Sequence, residues 1–405
     1  MPMPSAPEIV LDISRLISRV LHATPTGVDR VEMAYARQLL RMVPDRLSFS
    51  ALNIFGAYGH IPRAAAEQFL DRTEALWSGQ TARPKRKLAT YAAAADLLTL
   101  TWPRRIARAH GPRVLLQASP HHLHDEARTA DIIKREGAKF VCLLYDLIPI
   151  EFPEYARPDG AATHVKRIET MARLADGVIA ISASTRQSFA PYLARTGRDI
   201  PVDVALLADD VPAAWLGSAV PGEQPYFVCL GTIEPRKNHL LLLNLWRQMV
   251  ETAVDPAAVP RLIVIGRRGW ENENIVDMLD RCPALQAHVD ERSGLSDHEV
   301  RQMIAGARAL LMPSFAEGFG LPVAEAIAMG VPVICSDLPA HREAGRGVPD
   351  YLDPLDGPGW RAAIMAYADR DSPAHRLQAE RRLGWQAIDW ASHFETVIAM
   401  VDRVG

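Results

Sequence analysis

Glu317 and Glu325 flank a glycine turn in FAEGFGLPVAEAIAMGVPVICSD, with Gly318, Phe319 and Gly320 forming the turn and Pro322 just beyond it. The preceding RALLMPS has the short apolar character of a strand, and PVAEAIAM has the period of a helix, so the turn is a strand-to-helix elbow. Pro322 suits a first helical turn, where a missing N–H costs nothing. Backbone N–H groups at Gly320 and Leu321 are then left outward and unpaired. With the helix dipole behind them they favour a phosphate. Carboxylates beside a diphosphate are repelled unless they reach past it to hydroxyl groups, and sugars supply those. Glu325, one turn into the helix, is placed for a ribose diol, and Glu317, at the strand end, for a second sugar. A nucleoside diphosphate sugar satisfies both acids. Taken singly, Glu325 also reads as a first-turn carboxylate stabilised by the helix dipole by ~0.3–1 kcal/mol, and Glu317 as a solvated loop acid.

A second cluster supplies the opposite charge. The strand YFVCLG ends at Gly231, Thr232 follows, and Arg236 and Lys237 precede a helix that starts near Asn238. Ligands of open α/β sheets bind at such carboxyl edges, so these two cations are placed to neutralise a leaving diphosphate without a metal. RLIVIGRRGW repeats the pattern: Gly266 and Gly269 turn the chain, and Arg267, Arg268 and Trp270 stand where a nucleobase could rest. Gly318-Phe319-Gly320, with Asp337 some way downstream, also imitates a dinucleotide fingerprint and makes an NAD-dependent oxidoreductase the rival class. Val323 occupies the place of the third glycine, which counts against it. His121, His122 and His124 in SPHHLHDE lack an acid or cysteine pair at a ligand spacing, so no metal or other cofactor is expected.

The elements that must carry these residues are legible along most of the 405 residues. Apolar runs (EIVLDIS, LSFSALNI, RVLLQAS, KFVCLLYD, GVIAIS, VDVALLA, YFVCLG, RLIVIG, RALLMPS, VPVICSD) alternate with helical stretches such as 29–43, 160–175, 237–251 and 296–306. Such strands lack polar alternation because helices cover both sheet faces, which makes the class α/β. Periodicity fails in DDVPAAWLGSAVPGEQP, 209–225, a linker rich in Pro and Gly. The expected domains are 1–210, 222–380 and a C-terminal helix within 381–405 that packs across domains, with Trp385, Ile388, Phe394 and Ile398 as its buried face.

Composition excludes several alternatives. With 48% hydrophobic and 23% charged residues the chain is globular, and a formal net charge of -3 gives no broad field for nucleic acid. The four cysteines lie far apart without a CxxC pair, which points to reduced core residues. The N-terminal stretch lacks the pattern of a signal peptide and no run reaches the ~18 apolar residues of a spanning helix, so a cytoplasmic location is expected. The basic segment 83–113 has only Asp96 as an acid and could rest on the inner face of an anionic membrane; a solvated helical face is the plainer reading.

Taken together, LGTIEPRKNH, LIVIGRRGW, GLSDHEVRQMIAGARALLMPSFAEGFGLPVAEAIAMGVPVICSD and YLDP resemble the retaining, family 4 (group 1) glycosyltransferases of GT-B fold. The resemblance is strong over about 225–355 and weaker before it, where TPTGVDRVEMAYARQLL, LLYDLIPIEFPEY and GVIAISASTRQSF are similar to that family's loops. It implies two Rossmann-like doubly wound domains with an interdomain cleft and transfer of a hexose with retention. The departing diphosphate takes the acceptor proton. Glu317 would hold the donor sugar, Glu325 the ribose, and Arg236 with Lys237 the diphosphate. Gly27 would face the cleft and bind the donor, as would Thr232; Asp146 would serve catalysis, and Arg30, Tyr145 and Ser182 would line the acceptor side. Tyr145 replaces a histidine common in relatives, and Thr232 an arginine, which puts more weight on Arg236. TIEPRKNH and GRRGW look like bacterial relatives that use GDP-mannose or a similar donor, with glycan or lipid-linked acceptors, for polysaccharide assembly. A non-catalytic GT-B protein that binds nucleotide sugars is a further alternative, against which the intact acid and base set argues. On this reading Glu317→Ala and Lys237→Ala abolish transfer and leave the fold intact.

Overall fold

The computed structural model describes residues 6–20, 22, 24–53, 55–78, 87–106, 111–209, 211–220 and 224–405, the side chains of 87–93 excepted. The basic segment 83–113 therefore falls partly outside the described residues, at 83–86 and 107–110. The chain forms two compact units: one of Met1–Ile150, Asp159–Leu207 and Asp389–Gly405, the other of Glu151–Pro158 and Ala208–Ile388.

The first unit is built on β1 (Glu8–Asp12), β2 (Leu47–Leu52), β3 (Tyr58–Ile61), β4 (Arg113–Gln117), β5 (Lys139–Leu144), β6 (Gly177–Ala180) and β7 (Val202–Val204). Their order in the sheet is β3-β2-β1-β4-β5-β6-β7. Pairing is parallel except at β2 and β3, with Val10 opposite Ser48 on one side and Leu115 on the other. The second unit carries β8 (Tyr226–Leu230), β9 (Arg261–Ile265), β10 (Val289–Arg292), β11 (Leu310–Met312), β12 (Val333–Ser336) and β13 (Asp350–Leu352) in the order β10-β9-β8-β11-β12-β13. All its pairs are parallel.

Each apolar run quoted above is a strand. Except at the edge strand β7, whose three residues are only half-buried, their side chains are largely buried, as helices on both faces require: VLLQ of β4 and FVCLL of β5 have no exposed residue. The helix Gly27–Met42 starts at a capping box in which Thr26 accepts from the Asp29 N–H and the Asp29 carboxylate accepts from the Thr26 N–H. The helix His239–Thr252 turns Leu242, Leu243, Trp246 and Met249 into the second core beside Phe227, Trp360 and Tyr367.

Three strands escaped the sequence reading. β3 is the antiparallel edge, β10 is the polar edge VDER with no fully buried residue, and β13 has only three residues. Edge strands are short and wet, so they lack an apolar run. The C-terminal helix is also shorter than expected. It spans Trp390–Val404, with Asp389 as the cap accepting from the Ser392 N–H. Its buried face is His393, Phe394, Val397, Met400 and Val401; Ile388 is buried ahead of it, while Trp385 and Ile398 are only half-buried. The helix closes the first unit, where Tyr35 Oη lies 2.8 Å from His393 Nε2 and Met400 packs so close to Gly177 that a Cβ there would be 2.5 Å from its sulfur.

Candidate active site

In both sheets the strand order reverses at the first strand of the unit, and the loops after the two strands flanking that reversal are brought together. In the second unit these strands are β8 and β11. The loop after β8 carries Gly231 to Asn238, and the loop after β11 carries Ser314 to Gly320, so residues eighty positions apart in sequence become neighbours.

They meet as an ion cluster. Lys237 Nζ donates to Glu317 Oε1 at 2.5 Å, Arg236 Nη1 to Glu317 Oε2 at 2.9 Å, and Ser314 Oγ to Glu317 Oε1 at 2.6 Å. Arg236 also reaches Glu234 Oε1 and the Ala316 carbonyl, which fixes the guanidinium between both loops. The Glu317 side chain is 9% exposed and that of Lys237 is 11%. Burial alone would raise the Glu317 carboxyl, but Lys237 and Arg236, with a smaller effect from His341, more than offset it and hold the acid well below the usual carboxylate range. The cluster is ionised and internally paired. A desolvated pair of this kind is costly to break from one side, by about 3–5 kcal/mol.

This corrects the expectation for Glu317. It is neither a loop acid in water nor a group whose oxygens both await a sugar: Oε1 already accepts from Lys237 and Oε2 from Arg236. Sequence spacing could not show this, because the partners lie on different strand ends. The expectation that Glu317→Ala leaves the fold intact is revised accordingly.

The turn itself has the expected form. Gly320 lies at φ +101°, in the left-handed region, and precedes the helix Leu321–Met329 with Pro322 in its first turn. No side chain caps this helix start. Phe319 is buried and anchors the turn, Gly318 and Leu321 are half-buried, and Val323 is fully buried where a dinucleotide fold would place glycine. Glu325 sits half-buried on the same helix and has a polar partner of its own. Beneath the turn lies His341, fully buried, with Nδ1 2.9 Å from the Ser336 carbonyl. Burial lowers its pKa, and a Cβ on Gly320 would be 3.0 Å from its Cδ2. Sequence reading missed His341; its signal was only a histidine shortly after the strand VPVICSD.

Gly266 is required for a different reason from an anion. A Cβ there would be 1.8 Å from the Gly231 carbonyl oxygen, and one on Gly269 would be 2.7 Å from Thr232 Cγ2, so the loops after β8 and β9 pack backbone to backbone. Thr232 is thereby a packing neighbour of Gly269, and the Ile233 N–H donates to the Arg267 carbonyl. The Arg267 side chain is exposed, whereas Arg268 is tied to Asp280 and Glu291. Trp270 is less open than a base platform would be: Arg157 lies 4.6 Å over its ring and its Nε1 donates to the Tyr155 carbonyl.

The first-unit candidates divide. Gly27 is the first residue of its helix, and a Cβ there would meet nothing within 4 Å; Arg30 follows on the next face and has a polar partner. Tyr145 donates its hydroxyl to the Ala118 carbonyl at 2.6 Å, and burial, with Tyr35 and Glu32 nearby, pushes the phenol well above its ordinary value, so it holds its proton. Asp146 Oδ1 accepts from the Ile148 N–H, and its carbonyl is 2.9 Å from His164 Nε2. Ser182 is a correction: it is fully buried, accepts from the Thr185 N–H and donates to Thr185 Oγ1, and is therefore the N-cap of the helix Ala183–Ala194. Burial, with help from nearby cations, depresses His121 to about 4 and His122 to about 3, which keeps both neutral. Among the described residues no group of three or more His, Cys, Asp or Glu has a geometry suited to a metal ion.

Residues 217–346, the span that holds this cluster, match the family model described as "Glycosyl transferases group 1". The chain carries a group 1 glycosyltransferase domain. Among curated relatives of this domain, the serotype-specific mannosyltransferase WbdA of Escherichia coli is 26% identical over 239 residues, 55% of this chain and 29% of that protein. The chain thus spans less than a third of the length of this relative. The GDP-mannose:cellobiosyl-diphosphopolyprenol alpha-mannosyltransferase of Xanthomonas oryzae is 26% identical over 267 residues, 62% of this chain and 69% of that protein. Among solved structures, sucrose-phosphate synthase from Thermosynechococcus elongatus is similar with a TM-score of 0.60 at 14% identity, over 96% of this chain and 97% of that chain. That likeness is one of fold alone. With the two doubly wound sheets it establishes the group 1 domain as half of a GT-B fold.

Proposed function

We propose that this protein is a retaining family 4 hexosyltransferase that takes its sugar from a nucleoside diphosphate donor, GDP-mannose or a close equivalent, and passes it to a glycan or lipid-linked acceptor in bacterial polysaccharide assembly. The observation that carries the reading is the buried Glu317 cluster, set beside the uncapped Leu321–Met329 helix start within the group 1 match. Lys237 and Arg236 present fixed positive charge where a pyrophosphate would develop its negative charge on departure, and the helix N-terminus adds its partial charge. Because Glu317 already neutralises part of that charge, the cations are oriented before the donor arrives. Stabilisation of the leaving group then needs no reorganisation of the loops.

Glu325 is proposed to accept from the ribose, and the backbone at Gly266, Gly318 and Gly320 to approach the donor closely. Glu317 is proposed to meet the donor hexose only by sharing an oxygen it now gives to Arg236 or Lys237. The protein supplies orientation and charge. The leaving diphosphate accepts the acceptor proton as the new glycosidic bond forms on the face it vacates, which retains configuration. The Gly27 turn is proposed for the donor, Asp146 for catalysis and Arg30 for the acceptor.

Support for mannose and for polysaccharide assembly comes from the names of the mannosyltransferases that the chain is similar to. No metal is proposed to take part. No helix among the described residues is long and apolar enough to cross a membrane, and contact with the inner membrane face through the basic segment belongs to the proposal. The test is nucleotide release from GDP-mannose, UDP-glucose and related donors, with the anomer of the product read by NMR. GDP release dependent on Lys237 with an α product is expected. Absence of turnover with any donor, or turnover lost in EDTA and restored by manganese, overturns the reading or its metal-free chemistry respectively.

A further inference from the structure

One short segment, Glu151–Pro158, groups with the second unit, although Met1–Ile150 before it and Asp159–Leu207 after it belong to the first. It begins at the end of a short helix, Ile148–Glu151, that starts just beyond Asp146, and both of its ends are peptide-bonded to the first unit. Its sequence, EFPEYARP, explains its shape. Pro153 opens a single 3-10 turn, Pro153–Tyr155, in which the Tyr155 N–H donates to the Phe152 carbonyl at 3.0 Å. Residues three apart in such a turn eclipse one another. The rings of Phe152 and Tyr155 accordingly share one side, 6.0 Å apart and 21° from parallel.

Tyr155 makes two further contacts of different kinds. Its ring stacks on Phe315, with centroids 5.6 Å apart and planes 11° from parallel, an arrangement that aromatic pairs favour when offset. Its carbonyl accepts from Trp270 Nε1 at 2.9 Å, and Arg157 covers the Trp270 ring at 4.6 Å. Trp270 follows β9 and Phe315 follows β11, so one residue grips the loops after two strands. Phe315 is embedded in the ion cluster. Its N–H donates to the Arg236 carbonyl at 2.8 Å. On one side of it Ser314 Oγ donates to Glu317, and on the other the Ala316 carbonyl accepts from Arg236. The main chain at Phe315 thus shares in the bonds that set both Arg236 and Glu317, and a tilt of its half-buried ring would disturb them together.

We propose that Tyr155 is a positioning residue of the ion cluster: its ring holds Phe315, and through Phe315 the Arg236 and Glu317 side chains, in the geometry that transfer requires. The ring and the main-chain carbonyl make these contacts, so the phenolic hydroxyl has no share in the role. A misplacement of about 1 Å caused away from the reacting atoms can cost about a hundredfold in rate, which is why such a hold matters to turnover. The assignment rests on the glycosyl-transfer reading for this kinetic consequence; the hold on the loop after β11 stands without it.

The test compares the full chain with its Tyr155→Ala and Tyr155→Phe variants, reading amide hydrogen exchange by peptide alongside turnover of GDP-mannose. In Tyr155→Ala the peptide covering 313–320 is expected to exchange about tenfold faster, while the helix Gly357–Ala368 of the same unit exchanges as in the parent. The kcat is expected to fall roughly tenfold to a hundredfold, with the donor KM shifted by less than about threefold. Tyr155→Phe keeps the ring and the carbonyl and is expected to restore exchange and kcat to within about twofold of the parent. A merely structural role would loosen the whole second unit and would not separate kcat from KM. Unchanged exchange at 313–320 in Tyr155→Ala, faster exchange throughout the second unit, or a loss shared by Tyr155→Phe overturns the proposal. Exchange needs no donor, so a parent that turns over no nucleotide sugar ends the glycosyl-transfer reading while the exchange at 313–320 still decides whether Tyr155 holds the cluster.

Discussion

The two units place the same architectural feature, the sheet edge at a strand-order reversal, under opposite electrostatic regimes. In the second, a buried acid is paired with two cations and held well below the usual carboxylate range by them. In the first, desolvation raises the buried acids Asp12 to about 6 and Glu32 to about 8, so Glu32 keeps its proton at neutral pH. A preassembled ion cluster suits a group whose charge changes during reaction, since its dipoles are already aligned.

The sharpest break of this contrast lies in the second unit. Lys237→Ala is expected to lower kcat/KM for transfer roughly a hundredfold to a thousandfold, as removal of one charge-stabilising donor does elsewhere. Glu317 retains Arg236 and Ser314 in that variant, so the fold persists. Steady-state kinetics with a near-native melting curve would establish it; activity within threefold of the parent would remove Lys237 from the mechanism.

Glu317→Ala probes the same cluster from the acidic side. It leaves Lys237 without its carboxylate while Arg236 keeps Glu234, so denaturant unfolding should show the second unit destabilised by about 3–5 kcal/mol. Glu317→Gln keeps the shape and can still accept from one cation, and is expected to lose less. Equal stability of both variants with the parent would mean that the cluster is solvated in solution. The pH sign follows: an acid depressed below its unfolded value stabilises the fold above that value, and the contribution disappears only as pH falls through the lower folded one.

Much of this arrangement was legible before any coordinates. The apolar runs located the strands at the sheet centres, and Gly320 with Pro322 located the elbow, because a left-handed residue and a proline in a first turn are local requirements. What could not be read was pairing across strands. Glu317 and Lys237 are eighty residues apart, and nothing local reports that β8 and β11 are adjacent. Ser182 misled for the complementary reason: its role as a cap is local, but a serine after a strand is equally the mark of a ligand loop.

In the first unit the contrast predicts the reverse pH behaviour. The folded Glu32 carboxyl, raised to about 8, holds a proton that the unfolded chain releases near the ordinary glutamate range. The native state therefore binds more protons through that window, and stability should fall as pH rises from about 5 to 8, by an amount on the order of a few kcal/mol. Glu32→Gln removes the titrating group and should flatten the profile of the first unit. A parent profile that rises with pH over that range would show Glu32 to be ionised and paired.

The smallest effect separates packing from ligation at Ser182. As the cap of Ala183–Ala194 it satisfies the Thr185 N–H, so Ser182→Ala should cost about 1 kcal/mol of stability, and Ser182→Thr, which keeps a hydroxyl acceptor there, less. Both should leave the KM for acceptor within about twofold, since the hydroxyl is fully buried and already committed to Thr185. If Ser182→Ala instead raised that KM by tenfold or more at unchanged stability, the hydroxyl would have to leave its cap to meet the acceptor. The first unit would then share with the second the habit of lending a satisfied group to its ligand, and the contrast between them would narrow to the protonation of Glu32.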